Sequence, residues 1–150
     1  MTQKNLNIAV IHGPNLNLLG KREPEIYGST NLTQINNDLS KLQSTHKVSL
    51  SFFQSNHEGA LVDHIQTLEN YDGVVINPAA YTHTSVAILD ALLAMKLPFV
   101  EVHLSDPKSR EDFRHKSFYS EKAIAVVSGL GAKSYETGLE KLIDHLRGAQ

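Results

Sequence analysis

Short apolar runs alternate along this chain with segments in which apolar residues recur every three or four positions. Residues 6–11, 48–53 (VSLSFF), 73–76 (GVVI), 98–103 (PFVEVH) and 123–128 (AIAVVS) read as buried strands. Between the first two, Leu32, Ile35, Leu39 and Leu42 keep helical spacing. Asn31 is placed there to cap the helix, with Gln34 three residues on as its reciprocal partner. A second helix is expected from about Glu58, with Leu61, Val62, Ile65 and Leu68 on one side. Residues 85–97 predict a strongly apolar third helix, and residues 134–147 a closing amphipathic one.

Strands that alternate with helices call for a parallel sheet covered on both faces, because parallel neighbours need crossover connections. Five such units in 150 residues predict one α/β domain, a flavodoxin-like three-layer sandwich with a five-stranded parallel sheet. The strand order 2-1-3-4-5 follows from the frequency of that fold, not from any residue. Ligands of such sheets lie at the carboxyl ends of the strands, where the order reverses between strands 1 and 3. Two connections at that edge are long. Residues 12–28 (HGPNLNLLGKREPEIYG) follow strand 1, and residues 104–122 (LSDPKSREDFRHKSFYSEK) follow strand 4. Long connections inside a compact domain commonly form lids or binding loops.

Composition removes several classes of function. A net charge of −2 without clustered Lys and Arg carries no nucleic-acid footprint. Cysteine is absent, which excludes disulfide frameworks and Cys-based zinc sites. The opening residues MTQKNLNIAVIHGPN turn polar too soon for a signal-peptide apolar region. No apolar stretch approaches the roughly 20 residues needed to span a bilayer, so a cytoplasmic protein without membrane contact is expected. Eight histidines invite a metal, yet none forms a set with ligand spacing on one helix. Residues 12–14 are no Walker loop, and residues 128–131 (SGLG) follow the last strand and lack the third glycine of a dinucleotide site.

At the carboxyl edge the chain assembles Asn15, Arg22 and Tyr27 from the first loop and Asn77, Thr82 and His83 after strand 3. Strand 4 adds Glu101 and His103, then Ser105, Arg110 and Arg114. Residues i and i+2 of a strand share a face. Glu101 can therefore orient the His103 imidazole and favour its charged form, as a general acid requires. On the pair alone, a buried histidine satisfied by its neighbour is the commoner explanation. A tyrosine serves as base only if its anion is stabilised, since a phenol titrates near about 10. Arg22 would supply that charge to Tyr27, although a loop tyrosine is more often a rim residue. Asn77, His83, Ser105 and Arg114 suit a small polyhydroxylated acid, and the start of the third helix, just beyond Thr84, would favour an anion. Thr82 and Thr84 also suit helix capping. Asn56 and Glu58 suit a turn and a capped helix start.

The first loop, the stretch INPAAYTHTSVAILDAL at residues 76–92 and PFVEVHLSDPKSREDFRHKSFYS at residues 98–120 resemble the three signatures of the type II 3-dehydroquinate dehydratases. QSNHEG at residues 54–59 and SGLGAKSYETGLEKL at residues 128–142 fit as well, so the likeness runs from about Leu6 to Leu142. It implies trans elimination of water from 3-dehydroquinate through an enolate, without cofactor or metal. Tyr27 matches the base, Arg22 the cation that keeps it ionised, and His103, held by Glu101, the acid. Asn15 matches a residue that positions water near the enolate oxygen. Asn77, His83, Arg114 and the backbone amides of Leu104 and Ser105 match the substrate-binding set. Asp90 matches a residue reached across a subunit boundary, in a homo-oligomer assembled as a dodecamer of trimers.

Three positions depart from that family pattern. Ala79 stands where many members have Gly, which is expected to shift the turn after strand 3 slightly. Leu89 replaces a frequent Arg next to Asp90, which would alter charge at the subunit boundary. Asp106-Pro107-Lys108 replaces a segment that usually begins with Asn. The competing expectation is a non-catalytic flavodoxin-like module that binds a small acid or a mononucleotide. It would favour a compact phosphate loop after strand 1 and has no need of Tyr27, Arg22, Glu101 and His103 together. A metal-dependent hydrolase is a weaker third possibility.

Overall fold

The structure, a computed structural model, describes residues 4–21, 23, 25 and 29–148. Among these residues five parallel strands form one sheet in the order β2-β1-β3-β4-β5. They are β1 (Leu6–His12), β2 (Val48–Gln54), β3 (Gly73–Asn77), β4 (Phe99–Val102) and β5 (Ala125–Val127). The order expected from fold frequency is the order observed. Strand β1 lies between β2 and β3 and pairs in parallel with both, with Ile8 opposite Gly73 and His12 opposite Asn77.

The pleat sorts the core into two apolar layers. Ile8, Val10, Val75, Val100 and Val102 face one side and pack on α1 (Leu32–Ser40) and the last helix, through Ile35, Leu39, Leu139 and Leu142. Ala9, Ile11, Val74, Ile76 and Phe99 face the other side and meet α3 (Glu58–Ile65) and α4 (Val86–Ala94), through Leu61, Ile65, Ile88 and Leu92. The short α2 (Gln43–His46) and the long α5 (Lys133–Gly148) complete the helices of the described residues. The result is a three-layer sandwich whose strand termini converge on one edge.

Helix starts test the capping expectations residue by residue. Asn31 and Gln34 form the expected reciprocal box at α1, at 2.9 and 2.8 Å. At α4 the cap is Ser85, whose hydroxyl accepts from the Ile88 amide; neither Thr82 nor Thr84 fills that role. Thr82 is fully buried, with no hydrogen-bond partner for its hydroxyl among the described residues. Asn56 does not cap α3 either. Its side chain accepts the Asn15 amide and one from Gln54, so it braces the first loop. The helix predicted over residues 85–97 stops at Ala94, and Leu97 is buried in the turn that follows.

Two backbone features bring the loops close at the carboxyl edge. The Gly13 amide donates to the Asn77 carbonyl at 2.8 Å, and a Cβ at Gly13 would collide with the Pro78 carbonyl. Only glycine permits the first loop to cross the end of β3 at that distance. Ala79 adopts the left-handed conformation, φ 52°, with its amide bonded to the Asn77 side chain. A glycine-like turn is thus kept at the cost of Cβ strain. Leu89 packs inside the second apolar layer and is buried, not placed on the outer face beside Asp90.

Strain at Ala79 has a measurable consequence. Left-handed backbone costs an L-residue about 1–2 kcal/mol, partly offset by the extra freedom glycine brings to the unfolded chain. Ala79→Gly is therefore expected to raise the unfolding free energy by about 1 kcal/mol in urea titrations. An unchanged or lower value would show that the turn carries no strain.

Candidate active site

At the sheet's carboxyl edge lies a cavity of about 290 Å³, suited to a compact ligand. Asn15, Asn77, His83, His103, Leu104, Ser105 and Arg114 all line it. Seven of the residues picked out from sequence thus converge from three separate segments. Pro14, Leu16, Ala79, Ala80, Pro107 and Arg110 complete the wall. Of these, the sequence singled out Arg110 as a charge near the edge without giving it a role. Arg22 and Tyr27 lie outside the described residues, as do Pro24 and Gly28.

His103 follows β4 by one residue, and its amide still bonds to the Val127 carbonyl. The i, i+2 spacing does what it predicts. His103 Nε2 lies 2.5 Å from Glu101 Oε2, and both side chains are buried. The other carboxylate oxygen of Glu101 accepts from the Ser120 hydroxyl at 2.8 Å. Burial by itself would raise the Glu101 carboxyl. The hydrogen bond and charge of His103, with the hydroxyls of Ser120 and Ser117, outweigh it and hold the group below the usual range. An anionic Glu101 keeps Nε2 engaged and leaves Nδ1 as the ring nitrogen able to exchange a proton.

Behind this pair a second cavity, of about 250 Å³, is lined by Thr82, Glu101, His103, Ser117 and Ser120. The imidazole therefore stands between two hollows.

The remaining walls are held by specific contacts. His83 Nδ1 donates to the Lys116 carbonyl at 2.7 Å, leaving Nε2 as an acceptor in the neutral ring. The Arg114 guanidinium pairs with Glu111 one turn earlier, at 2.9 Å, and Arg110 approaches the same carboxylate at 4.0 Å. Asn15 sits at φ 68° at the start of a short 3₁₀ turn (Leu16–Leu18), so this loop is not structureless. The loop after β4 likewise contains 3₁₀ turns at Pro107–Ser109 and Asp112–Arg114. Asp106, read from sequence as an added charge, caps the first of these by accepting the Lys108 amide.

Carbonyls of Leu104 and Ser105 accept from Gly131 and Gly129. In a trans peptide the Ser105 N–H points opposite to the Leu104 carbonyl, hence away from that glycine turn. Asp90 lies on the exposed side of α4 and lines neither cavity. Among the described residues no group of three His, Cys, Asp or Glu could hold a metal ion, and no helix is long and apolar enough to cross a membrane.

No local spacing points to the region beneath the cavity, where His12 is fully buried at the end of β1. Its ring contacts the Tyr135 hydroxyl through Nδ1 and Asn36 Oδ1 through Nε2, both at 2.8 Å. Burial lowers its pKa to about 4 against a partial opposing effect of Asn36. A histidine at a strand's carboxyl end was the one available signal, and Tyr135 and Asn36 lie too far away in sequence to complete it.

Comparison with known proteins places these features in context. Residues 6–143 match the protein family described as Dehydroquinase class II. A 3-dehydroquinate dehydratase of Bordetella avium is 57% identical over 141 residues, covering 93% of this chain and 98% of the relative. One from Acaryochloris marina is 58% identical over 142 residues, covering 94% and 95%. Among solved structures, the type II dehydroquinase of Butyrivibrio crossotus superimposes with a TM-score of 0.89 at 41% identity, covering 92% of this chain and 97% of that one. The type II dehydroquinase of Propionibacterium acnes gives 0.87 at 36%, covering 95% and 99%.

The buried His12 sets an acid limit on stability. Its pKa falls from 6.5 unfolded to about 4 folded, so the unfolded chain takes up the proton first. Stability is complete above the unfolded value and is lost as pH falls between the two, by about 3 kcal/mol. His64, also lowered by burial, adds to the same trend. Glu101 contributes only at lower pH, below its unfolded value of 4.5. Urea titrations across this range should show the decline, and His12→Asn should remove most of it. An unaltered pH dependence in that variant would show that His12 is not the group responsible.

Proposed function

Because the chain belongs to the class II dehydroquinases, we propose that it removes water from 3-dehydroquinate by trans elimination through an enolate, with Tyr27 as base and His103 as acid. The observation that carries this is the Glu101–His103 pair, buried and 2.5 Å apart, on the wall of a polar cavity of small-metabolite size.

Each step has a residue suited to it. The Tyr27 phenolate, kept ionised by Arg22, takes the proton from the carbon next to the ketone, and the electron pair moves into the carbonyl as an enolate. Asn15 positions water near that oxygen, where charge develops. Collapse of the enolate expels the β-hydroxyl, which takes a proton from His103 and leaves as water. Glu101 steadies the imidazole through the transfer. Tyr27 ends protonated and His103 neutral, and exchange with solvent restores both. The product is the conjugated enone 3-dehydroshikimate.

Asn77, His83, Arg114 and the amides of Leu104 and Ser105 bind the substrate's hydroxyls and carboxylate. Asp90 acts from a neighbouring subunit in a dodecamer of trimers. The exposed Val86 and Leu93 on the same helix favour an interface there. The enzyme works as one domain in the cytoplasm and needs no cofactor or metal.

Adding 3-dehydroquinate to the purified protein with chelator should produce the ultraviolet absorbance of a conjugated enone. No gain in absorbance would sink the assignment in favour of a non-catalytic binding module. Tyr27→Phe should abolish turnover and still bind a product analogue in calorimetry; near-native rates would remove Tyr27 as base. His103→Gln should lower kcat by about 10²–10⁴-fold, the usual worth of a general acid.

A further inference from the structure

The Glu101 carboxylate has two oxygens, and the proposed chemistry uses only one of them. Oε2 meets His103 Nε2, and Oε1 accepts the Ser120 hydroxyl at 2.8 Å. Glu101 is buried, so these contacts stand in place of water. The last torsion of a glutamate is soft, with no staggered well to fix it. A hydrogen bond to one oxygen leaves the carboxylate plane free to swing about that contact. A second bond, to the other oxygen, removes that freedom.

The fold brings Ser120 to this place across 19 positions of sequence. Its neighbour Tyr119 is fully buried in the second apolar layer and meets Phe99 edge to face, with ring centroids 6.5 Å apart. The Tyr119 hydroxyl donates to the Ser85 carbonyl at 2.8 Å, at the start of α4. Its carbonyl accepts the amides of Lys122 and Ala123 at 2.9 and 3.0 Å, which closes a tight turn over Ser120. The chain then rejoins the sheet, where the Ile124 amide donates to the Phe99 carbonyl at 2.9 Å. The backbone on both sides of Ser120 is thus tied to the sheet and to α4, and its hydroxyl reaches Glu101 from a fixed point. Glu101 and Ser120 line the second cavity and not the first, while His103 lines both. Whatever Ser120 does for the reaction passes through the imidazole.

We propose that Ser120 is a positioning residue: by holding the second oxygen of Glu101 it fixes the carboxylate plane, and with it the direction in which His103 presents Nδ1 to the departing hydroxyl. The inference rests on the assignment of His103 as the acid. Ser120 touches no substrate. Its contribution falls on proton transfer and not on binding, because His103 gives up its proton only as the hydroxyl leaves.

Steady-state kinetics with 3-dehydroquinate tests this in the whole enzyme. Ser120→Ala should lower kcat about tenfold, with KM altered less than about threefold. Ser120→Thr keeps a hydroxyl and should stay near the native kcat, whereas Ser120→Val, of nearly the same shape, should match Ser120→Ala. In a His103→Gln background Ser120→Ala should bring no further loss. A folded Ser120→Ala with native kcat would overturn the proposal, as would a loss carried by KM or one undiminished in the His103→Gln background. If Ser120→Ala does not fold, equal kcat values for Ser120→Thr and Ser120→Val would overturn it instead. Should His103→Gln itself keep the native kcat, the acid assignment fails and this inference fails with it. A low kcat in His103→Gln beside a silent Ser120→Ala removes the positioning role alone.

Discussion

The in-register pairing of β1 with β3 is the constraint on which the site depends. It sets His12 opposite Asn77 at the carboxyl edge, and the ladder continues for one step as the Gly13 amide donates to the Asn77 carbonyl. Past that point the chains diverge, because the sheet order reverses between these two strands. The divergence opens the cavity, and Gly13 allows the first loop to cross its floor. Pairing of β3 with β4 then sets Glu101 opposite Ile76, so His103 emerges one residue past the strand beside the same opening.

Several titratable groups in this region are buried, and the partners they meet decide their state. Glu101 stays anionic because His103 and two serine hydroxyls outweigh the cost of burial. His12 stays neutral because its bond to Asn36 offsets only part of that cost. Two histidines at the ends of neighbouring parts of one sheet thus have opposite characters. One is paired with a carboxylate; the other lies between a phenol and an amide oxygen. The difference lies in the partner, since a carboxylate can balance a cation and an amide oxygen can do so only weakly.

Much of the fold was legible in the chain. Apolar runs of period two and apolar recurrences of period 3.6 mark strands and helices through local physics, and the Asn31–Gln34 box is a contact between neighbours in sequence. The Glu101–His103 contact was legible for the same reason, as residues two apart on a strand share a face. Capping at α4 was misplaced by one to three residues, because Thr82, Thr84 and Ser85 are chemically interchangeable caps and only the backbone's exit from β3 chooses among them. Asn56 was likewise read as a local cap, while its side chain is drawn to the distant Asn15 amide.

By itself the sequence determined the elements, the family and the identities of the residues brought to the edge, because each is carried by local spacing or by contiguous motifs. What only the tertiary structure decided is how those residues are oriented and charged. The union of Asn36, Tyr135 and His12 spans 123 positions in sequence between its farthest hydrogen-bonded members. No spacing rule reaches that far, and the environment that neutralises His12 exists only when the helices close over the sheet. The left-handed turn at Ala79 is of the same kind, since the bond from its amide to Asn77 holds a conformation that alanine alone would avoid.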